Sequence, residues 1–68
     1  MNINLLKGHI RACAMSQAEV ADKLGISLSR FNAKINARDE AEFTLSEVCN
    51  LKKILDLSSK QVDEIFFR

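Results

Sequence analysis

Apolar residues recur along this chain three and four positions apart, and no stretch alternates with polar residues for long enough to predict a strand. This spacing places side chains on one face of a helix, so each apolar group predicts a helix that is buried on one side. The five groups are Ile3, Leu6, Ile10 and Cys13; Val20, Ala21 and Leu24; Phe31 and Ile35; Leu45, Val48, Leu51, Ile54 and Leu55, with Cys49 nearby; and Val62, Ile65 and Phe66. The pattern therefore predicts an all-α fold of five helices, the first over about residues 4–14.

Three of these helices are preceded by the same start signal, a Ser or Thr followed three positions later by Glu or Gln. In such a capping box the hydroxyl oxygen accepts a free backbone N–H, and the longer side chain reaches back to the cap. The three segments are SQAE at 16–19, TLSE at 44–47 and SSKQ at 58–61, each flanked by apolar residues at the positions of a hydrophobic staple. The signal predicts helix starts at all three points.

A turn of about four residues around Gly25 separates the second and third predicted helices. Gly25 suits the left-handed conformation that ends many helices, and Ser27 can cap the next helix. Two short helices joined in this way form a helix-turn-helix, in which the first helix holds the second at the surface. At 68 residues, with 47% hydrophobic and 28% charged residues, the chain is expected to be one folded domain, residues 1–68, with this unit at its centre.

The outer face of the third helix carries small or polar residues, namely Ser29, Asn32, Ala33 and Asn36. A DNA major groove admits a slim helix face that can hydrogen-bond, and Asn32 can pair bidentately with an adenine edge. Ser29 can bond several bases, and Ala33 can lie against a thymine methyl group. Leu28 is open to two interpretations, an apolar base contact or a core residue. An ordinary solvated helix face is the alternative interpretation for the whole set.

Charge is distributed unevenly, although the formal net charge is only +1. Residues 1–38 hold six basic and two acidic residues, a balance of +4, whereas residues 39–68 hold four basic and seven acidic residues, a balance of −3. One basic face could bind phosphate, and chance asymmetry in a small protein is the alternative. The predicted DNA phosphate contacts combine helix ends with cations of the basic half: Gln17, Ser27, Arg30, Lys34, Asn36 and Arg38.

The segment over about residues 15–57 resembles the Cro/C1-type helix-turn-helix family of phage and bacterial transcriptional regulators, through SQAEVADKLGIS, SRFNAKIN and FTLSEVCNLKKILDL. Gln17 and Ala21 match the Gln and the small residue of the family's second helix. Leu24 and Gly25 match its turn, Ser27 its cap, and Asn36 the Asn that closes its third helix. The resemblance implies a lambda-repressor-like DNA-binding domain. It also implies base contacts from Leu28, Ser29, Asn32 and Ala33, and a phosphate contact from Gln17.

Two features depart from the family pattern. Ala37 stands where members often have Gly after the closing Asn, and the following loop is acidic, with Asp39, Glu40 and Glu42. Such a loop would repel a nearby DNA backbone, so it either points away from DNA or faces a protein partner. A second interpretation is therefore a protein-interaction module on the same fold, such as an antirepressor that binds a partner repressor.

The adjacent Phe66 and Phe67 cannot both face one core from a helix. One of them is expected to be exposed or to pack against a second copy, which would give a two-fold homodimer. Its third helices would then reach half-sites about one DNA turn apart on operator DNA. A domain-edge phenylalanine packed on Ile3 or Leu6 is the alternative.

Catalysis, metals and cofactors have no sequence support. His9 has no acidic neighbour three or four positions on, and His9, Cys13 and Cys49 match no recognised metal-ligand spacing. The two cysteines are expected to be small buried hydrophobes with reduced thiols. The opening segment is too short for a signal peptide or a membrane span, so the chain is expected to be cytoplasmic. Together, these features predict a non-enzymatic regulator without a cofactor, whose partner is double-stranded DNA.

Overall fold

The computed structural model describes residues 1–38 and 41–67, and within these ranges the chain forms five α-helices and no strand. The helices are α1 (Ile3–Ala12), α2 (Gln17–Leu24), α3 (Leu28–Ile35), α4 (Leu45–Ile54) and α5 (Ser59–Phe66). They pack into a compact unit of 27 × 24 × 21 Å. The prediction that the chain is all-α with five helices is therefore confirmed for the described residues. No helix in the described ranges is long and apolar enough to cross a bilayer.

A side-chain cap begins every helix. The three predicted capping boxes are all present, with the pairs Ser16 and Glu19, Thr44 and Glu47, and Ser58 and Gln61. The α1 cap is Asn2, whose side chain accepts from the Leu5 N–H at 3.0 Å. Because each cap satisfies a backbone donor that the helix leaves free, each one stabilises its helix by about 1 kcal/mol.

Gly25 ends α2 in the left-handed region, with φ +78°, as the sequence predicts. Its N–H donates to the Asp22 carbonyl, and the Ile26 N–H donates to the Ala21 carbonyl, both at 3.0 Å. This pair of bonds is a Schellman ending, which reverses the chain and returns Ile26 toward the core. The turn therefore fixes the start of α3 against the end of α2.

The core draws on all five helices and on the segment after α4. Its buried residues are Leu6, Ile10, Val20, Ala21, Phe31, Ile35, Leu51, Leu55, Leu57 and Ile65. Phe31 is fully buried, and its ring lies 5.7 Å from the ring of Phe43. Both α3 and α4 pack on α2, whereas α5 packs on α1 and α4. Helix α2 therefore contacts both α3 and α4.

Two residues of α4 that the sequence places near the core are exposed. Leu45 is 71% exposed, because it lies in the first turn of α4, where no described neighbour covers it. Cys49 is exposed because it lies one position, about 100° of rotation, beyond the buried Val48. Cys13 is half-buried as a free thiol, and its sulfur lies 3.5 Å from the Leu55 carbonyl oxygen. The expectation of two buried cysteines is therefore wrong for Cys49.

The first helix is also displaced from its predicted bounds. It runs over Ile3–Ala12 rather than 4–14, since Ala14 takes a left-handed conformation with φ +57° that ends the helix. Apolar periodicity continues through Cys13 and so carries no information about this backbone reversal.

Replacement of Gly8 by alanine is expected to stabilise the domain by about 0.5–1 kcal/mol, because glycine in a helix interior costs that much relative to alanine. A Cβ at Gly8 would meet nothing within 4 Å, so no clash offsets the gain. Denaturant unfolding monitored by circular dichroism measures the change. The control is Gly25→Ala, which should destabilise because of its positive φ, and a loss of stability in Gly8→Ala would contradict the prediction.

Candidate functional site

The outer face of α3 forms a shallow surface hollow, hereafter the α3 hollow. It is lined by the four residues predicted to contact bases, together with one arginine: Leu28, Ser29, Asn32, Ala33 and Arg38. Residues three and four apart on α3 are brought side by side, and the turn after the helix adds the arginine. A hydroxyl, a carboxamide, a methyl group and a guanidinium therefore share one surface.

Leu28 is 44% exposed at the first position of α3, which excludes it from the core. The core interpretation of Leu28 is therefore wrong, and the apolar base contact stays a prediction. Ser29 is also exposed, whereas Asn32 and Ala33 are half-buried. The surface therefore offers the apolar side chains of Leu28 and Ala33 together with the polar groups of Ser29 and Asn32.

Both predicted helix N-terminal contacts lie at the ends of their helices. Gln17 is the first residue of α2, where backbone N–H groups and the helix dipole favour an anion. Ser27 caps α3, and its Oγ accepts from the Arg30 N–H at 3.1 Å. The serine hydroxyl proton is not consumed by this cap, so Ser27 keeps one donor for a further acceptor.

The remaining predicted phosphate contacts, on α3 and just after it, differ in their availability. Arg30 and Arg38 are exposed, and both guanidinium groups can reach outward. Asn36 ends α3, and its Nδ2 donates to the Asn32 backbone carbonyl at 2.9 Å, which uses one of its two amide protons. The next residue, Ala37, has φ +52°, a left-handed conformation that favours glycine. The departure from the family pattern at position 37 therefore does not prevent the backbone from turning there.

Lys34, which is predicted to contact phosphate, is buried and paired with another side chain in the structure. Lys34 is 5% exposed, and its Nζ lies 2.5 Å from Oε1 of Glu47. A buried ammonium that is already paired cannot reach a phosphate without breaking that pair. Position 34 lies three after Phe31 and so borders the core side of α3, but the sequence does not show that the Glu47 carboxylate lies within reach.

Glu47 is a residue that sequence reasoning identified only as a cap. Its Oε1 accepts from the Thr44 backbone N–H at 2.8 Å and also pairs with Lys34. Partial burial raises the pKa of the Glu47 carboxyl, but hydrogen bonds from Lys34 and from the Thr44 backbone, with the charge of Lys34, outweigh it and hold the pKa below its usual 4.5. The same carboxylate therefore caps the N-terminus of α4 and pairs with Lys34 of α3.

At acid pH the domain is expected to lose the contribution that the ion pair between Glu47 and Lys34 makes to its free energy of unfolding. Because the folded pKa of Glu47 lies below its unfolded value, the unfolded chain takes up the proton first. The stabilisation is fully present above the unfolded pKa, near 4.5, and is lost as pH falls through the folded pKa. The free energy of unfolding of wild type and of Glu47→Gln, measured between pH 7 and 3, should converge on acidification. A constant difference between the two would contradict the assignment.

The two C-terminal phenylalanines have different environments. The ring of Phe66 packs edge-on against Phe43, with centroids 6.1 Å apart, whereas Phe67 is 62% exposed. Phe67 also lines an apolar groove between α4 and α5, hereafter the α4–α5 groove, whose other apolar residues include Leu45, Cys49 and Val62. Of the two residues predicted for a dimer interface, Phe67 is therefore the accessible one.

The acidic loop is only partly described, since Asp39 and Glu40 lie outside the described residues. Glu42 is exposed and lines a separate depression beside Phe43 and Phe66. This carboxylate therefore belongs to a different surface from the α3 hollow, whose charged lining residue is Arg38.

Comparisons with protein-family models, with curated proteins and with solved structures returned no match to this chain.

Proposed function

We propose that this chain is a sequence-specific DNA-binding transcriptional regulator of the Cro/C1 type, and that α2 and α3 are its helix-turn-helix. In this proposal α3 enters the major groove of operator DNA, and Leu28, Ser29, Asn32 and Ala33 contact bases. Gln17, Ser27, Arg30, Asn36 and Arg38 contact the phosphate backbone.

The observation that carries the proposal is the composition of the α3 hollow. Four residues chosen from the sequence as base contacts line one surface, and an exposed arginine completes it. Base readout needs hydrogen-bonding and methyl groups on a helix face slim enough for the groove, with cations at its edge for the phosphates. The hollow provides both kinds of group.

The proposed assembly on DNA is a homodimer. An exposed Phe67 beside the exposed Leu45 gives the α4–α5 groove an apolar rim, and such surfaces often bind another protein. A two-fold pair of domains would present two copies of α3 to half-sites about one turn of DNA apart.

Selection from a pool of random-sequence DNA duplexes, followed by gel-shift titration with excess non-specific competitor, tests the proposal. We expect enrichment of a near-palindromic site. Four arginines on phosphates, Arg30 and Arg38 of each copy, should give a plot of log affinity against log salt with a slope of roughly −3 to −4. Absence of any enriched sequence at micromolar protein would contradict the proposal.

A second candidate function is a protein-interaction module, in which the exposed α4–α5 groove binds a partner repressor instead of a second copy of this chain. The same titration distinguishes the two candidate functions, because only a DNA-binding protein has an affinity for duplex DNA that falls steeply with salt. If no duplex is enriched, the next measurement is binding to a repressor encoded beside the gene, compared between wild type and Leu45→Ala.

A further inference from the structure

We propose that Lys34 is a positioning residue, which sets the orientation of α3 relative to α4 through its ion pair with Glu47. Lys34 is the one charged residue that is buried among the described residues. Its role deepens the proposed function and rests on it for the effect on DNA, since the orientation of α3 decides where the α3 hollow points.

The pair joins two helices whose backbones approach each other at few points. Helices α3 and α4 each pack on α2, and the more extensive backbone packing involves α2 or α5 rather than α3 against α4. Their side chains also meet in the shared core, to which Phe31 and Ile35 of α3 and Leu51 of α4 belong. The bond from Lys34 to Glu47 therefore fixes a relative placement that backbone packing leaves less constrained.

The carboxylate that receives Lys34 is itself held in place. The Glu47 side chain accepts from the Thr44 N–H, and the Glu47 N–H donates to Thr44 Oγ1 at 3.1 Å. This capping box fixes the side chain at the start of α4, so Lys34 is drawn to a defined point. Lys34 lies directly after Asn32 and Ala33 in the last turns of α3, and a shift there moves both residues.

A contribution to stability does not by itself distinguish a positioning role for such a pair. A buried ion pair often contributes no more to stability than apolar residues of the same size, whereas removal of one partner leaves a costly unpaired charge. A pair that is retained can instead specify one arrangement of the elements it joins. Orientation of α3 is therefore the quantity that the variants must report.

The variants are Lys34→Met, Glu47→Gln and the double variant, with Lys53→Met as the matched control. Met keeps an unbranched chain of similar length, and Gln retains a capping-box oxygen, so the substitutions remove the charges and keep the α4 cap. Lys53 is an exposed lysine near the end of α4. The double variant leaves no unpaired charge and should fold if a single variant does not.

The first readout needs no DNA. Backbone residual dipolar couplings of the free protein measure the angle between α3 and α4. We expect this angle to differ from wild type in Lys34→Met and in the double variant, and to stay at the wild-type value in Lys53→Met. An unchanged angle in the folded double variant would overturn the proposal, whatever the protein does with DNA.

The second readout uses the duplex selected by the wild-type protein and a scrambled duplex of equal length. We expect the ratio of the two affinities to fall about tenfold in the double variant, comparable to one mismatched base pair, with the salt slope of wild type. A slope shallower by about 0.9 per subunit would instead show that Lys34 contacts phosphate, and would overturn the positioning role. If the wild-type protein selects no duplex, the proposed function fails, and the measured angle still decides the role of Lys34.

Discussion

Replacement of Phe31 by alanine is expected to destabilise the domain by about 3–5 kcal/mol, the usual cost of removing a buried aromatic side chain. Phe31 is fully buried and is the largest side chain in the core. It packs against Phe43, which packs in turn on Phe66, so its ring connects α3 to the segment before α4 and to α5. A domain of 68 residues has a total stability of roughly 3–10 kcal/mol, so this single change removes most or all of it.

Denaturant unfolding at pH 7 measures this loss against two other variants. Phe31→Leu keeps an apolar side chain in the same site and should retain a cooperative transition from which a free energy can be extracted. Phe67→Ala removes the same ring from a position that is 62% exposed, and should change stability by less than about 0.5 kcal/mol. Equal effects of Phe31→Ala and Phe67→Ala would show that the core is not organised around Phe31.

Helix starts and the turn could be predicted from sequence because their determinants are local. Ser16, Thr44 and Ser58 each have their partner three residues away, and the left-handed ending at Gly25 depends on the backbone freedom of that one residue. No knowledge of the rest of the chain is needed for such features. The four base-contact candidates share a surface for the same reason, since helical spacing alone places them together.

Two of the errors concern residues whose environment depends on distant parts of the chain. Leu45 has the spacing of a core residue, but burial requires a neighbour over the first turn of α4, and the sequence pattern does not indicate whether one is there. Lys34 has the composition of a surface residue, but its partner Glu47 lies 13 positions away in another helix. Periodicity gives the face of a helix, and only packing determines how far that face is covered.

Asn32→Ala is expected to weaken binding to the selected duplex by about 1–3 kcal/mol for each half-site, the usual contribution of a bidentate contact to a base. Affinity for scrambled duplex should change little, because a base contact adds sequence discrimination and little sequence-independent attraction. The salt slope should stay at the wild-type value, since no charge is removed.

This substitution is expected to change the affinity for DNA without lowering the free energy of unfolding. Alanine is a better helix former than asparagine, so the free energy of unfolding should stay constant or rise by a few tenths of a kcal/mol. Asn50→Ala, an exposed asparagine in α4, is the matched control and should leave both affinities unchanged. A second selection with the variant should then relax the preference at one base pair of each half-site. If that selection returns the wild-type site with unchanged preference, Asn32 does not contact a base, and the proposed placement of α3 in the groove is wrong.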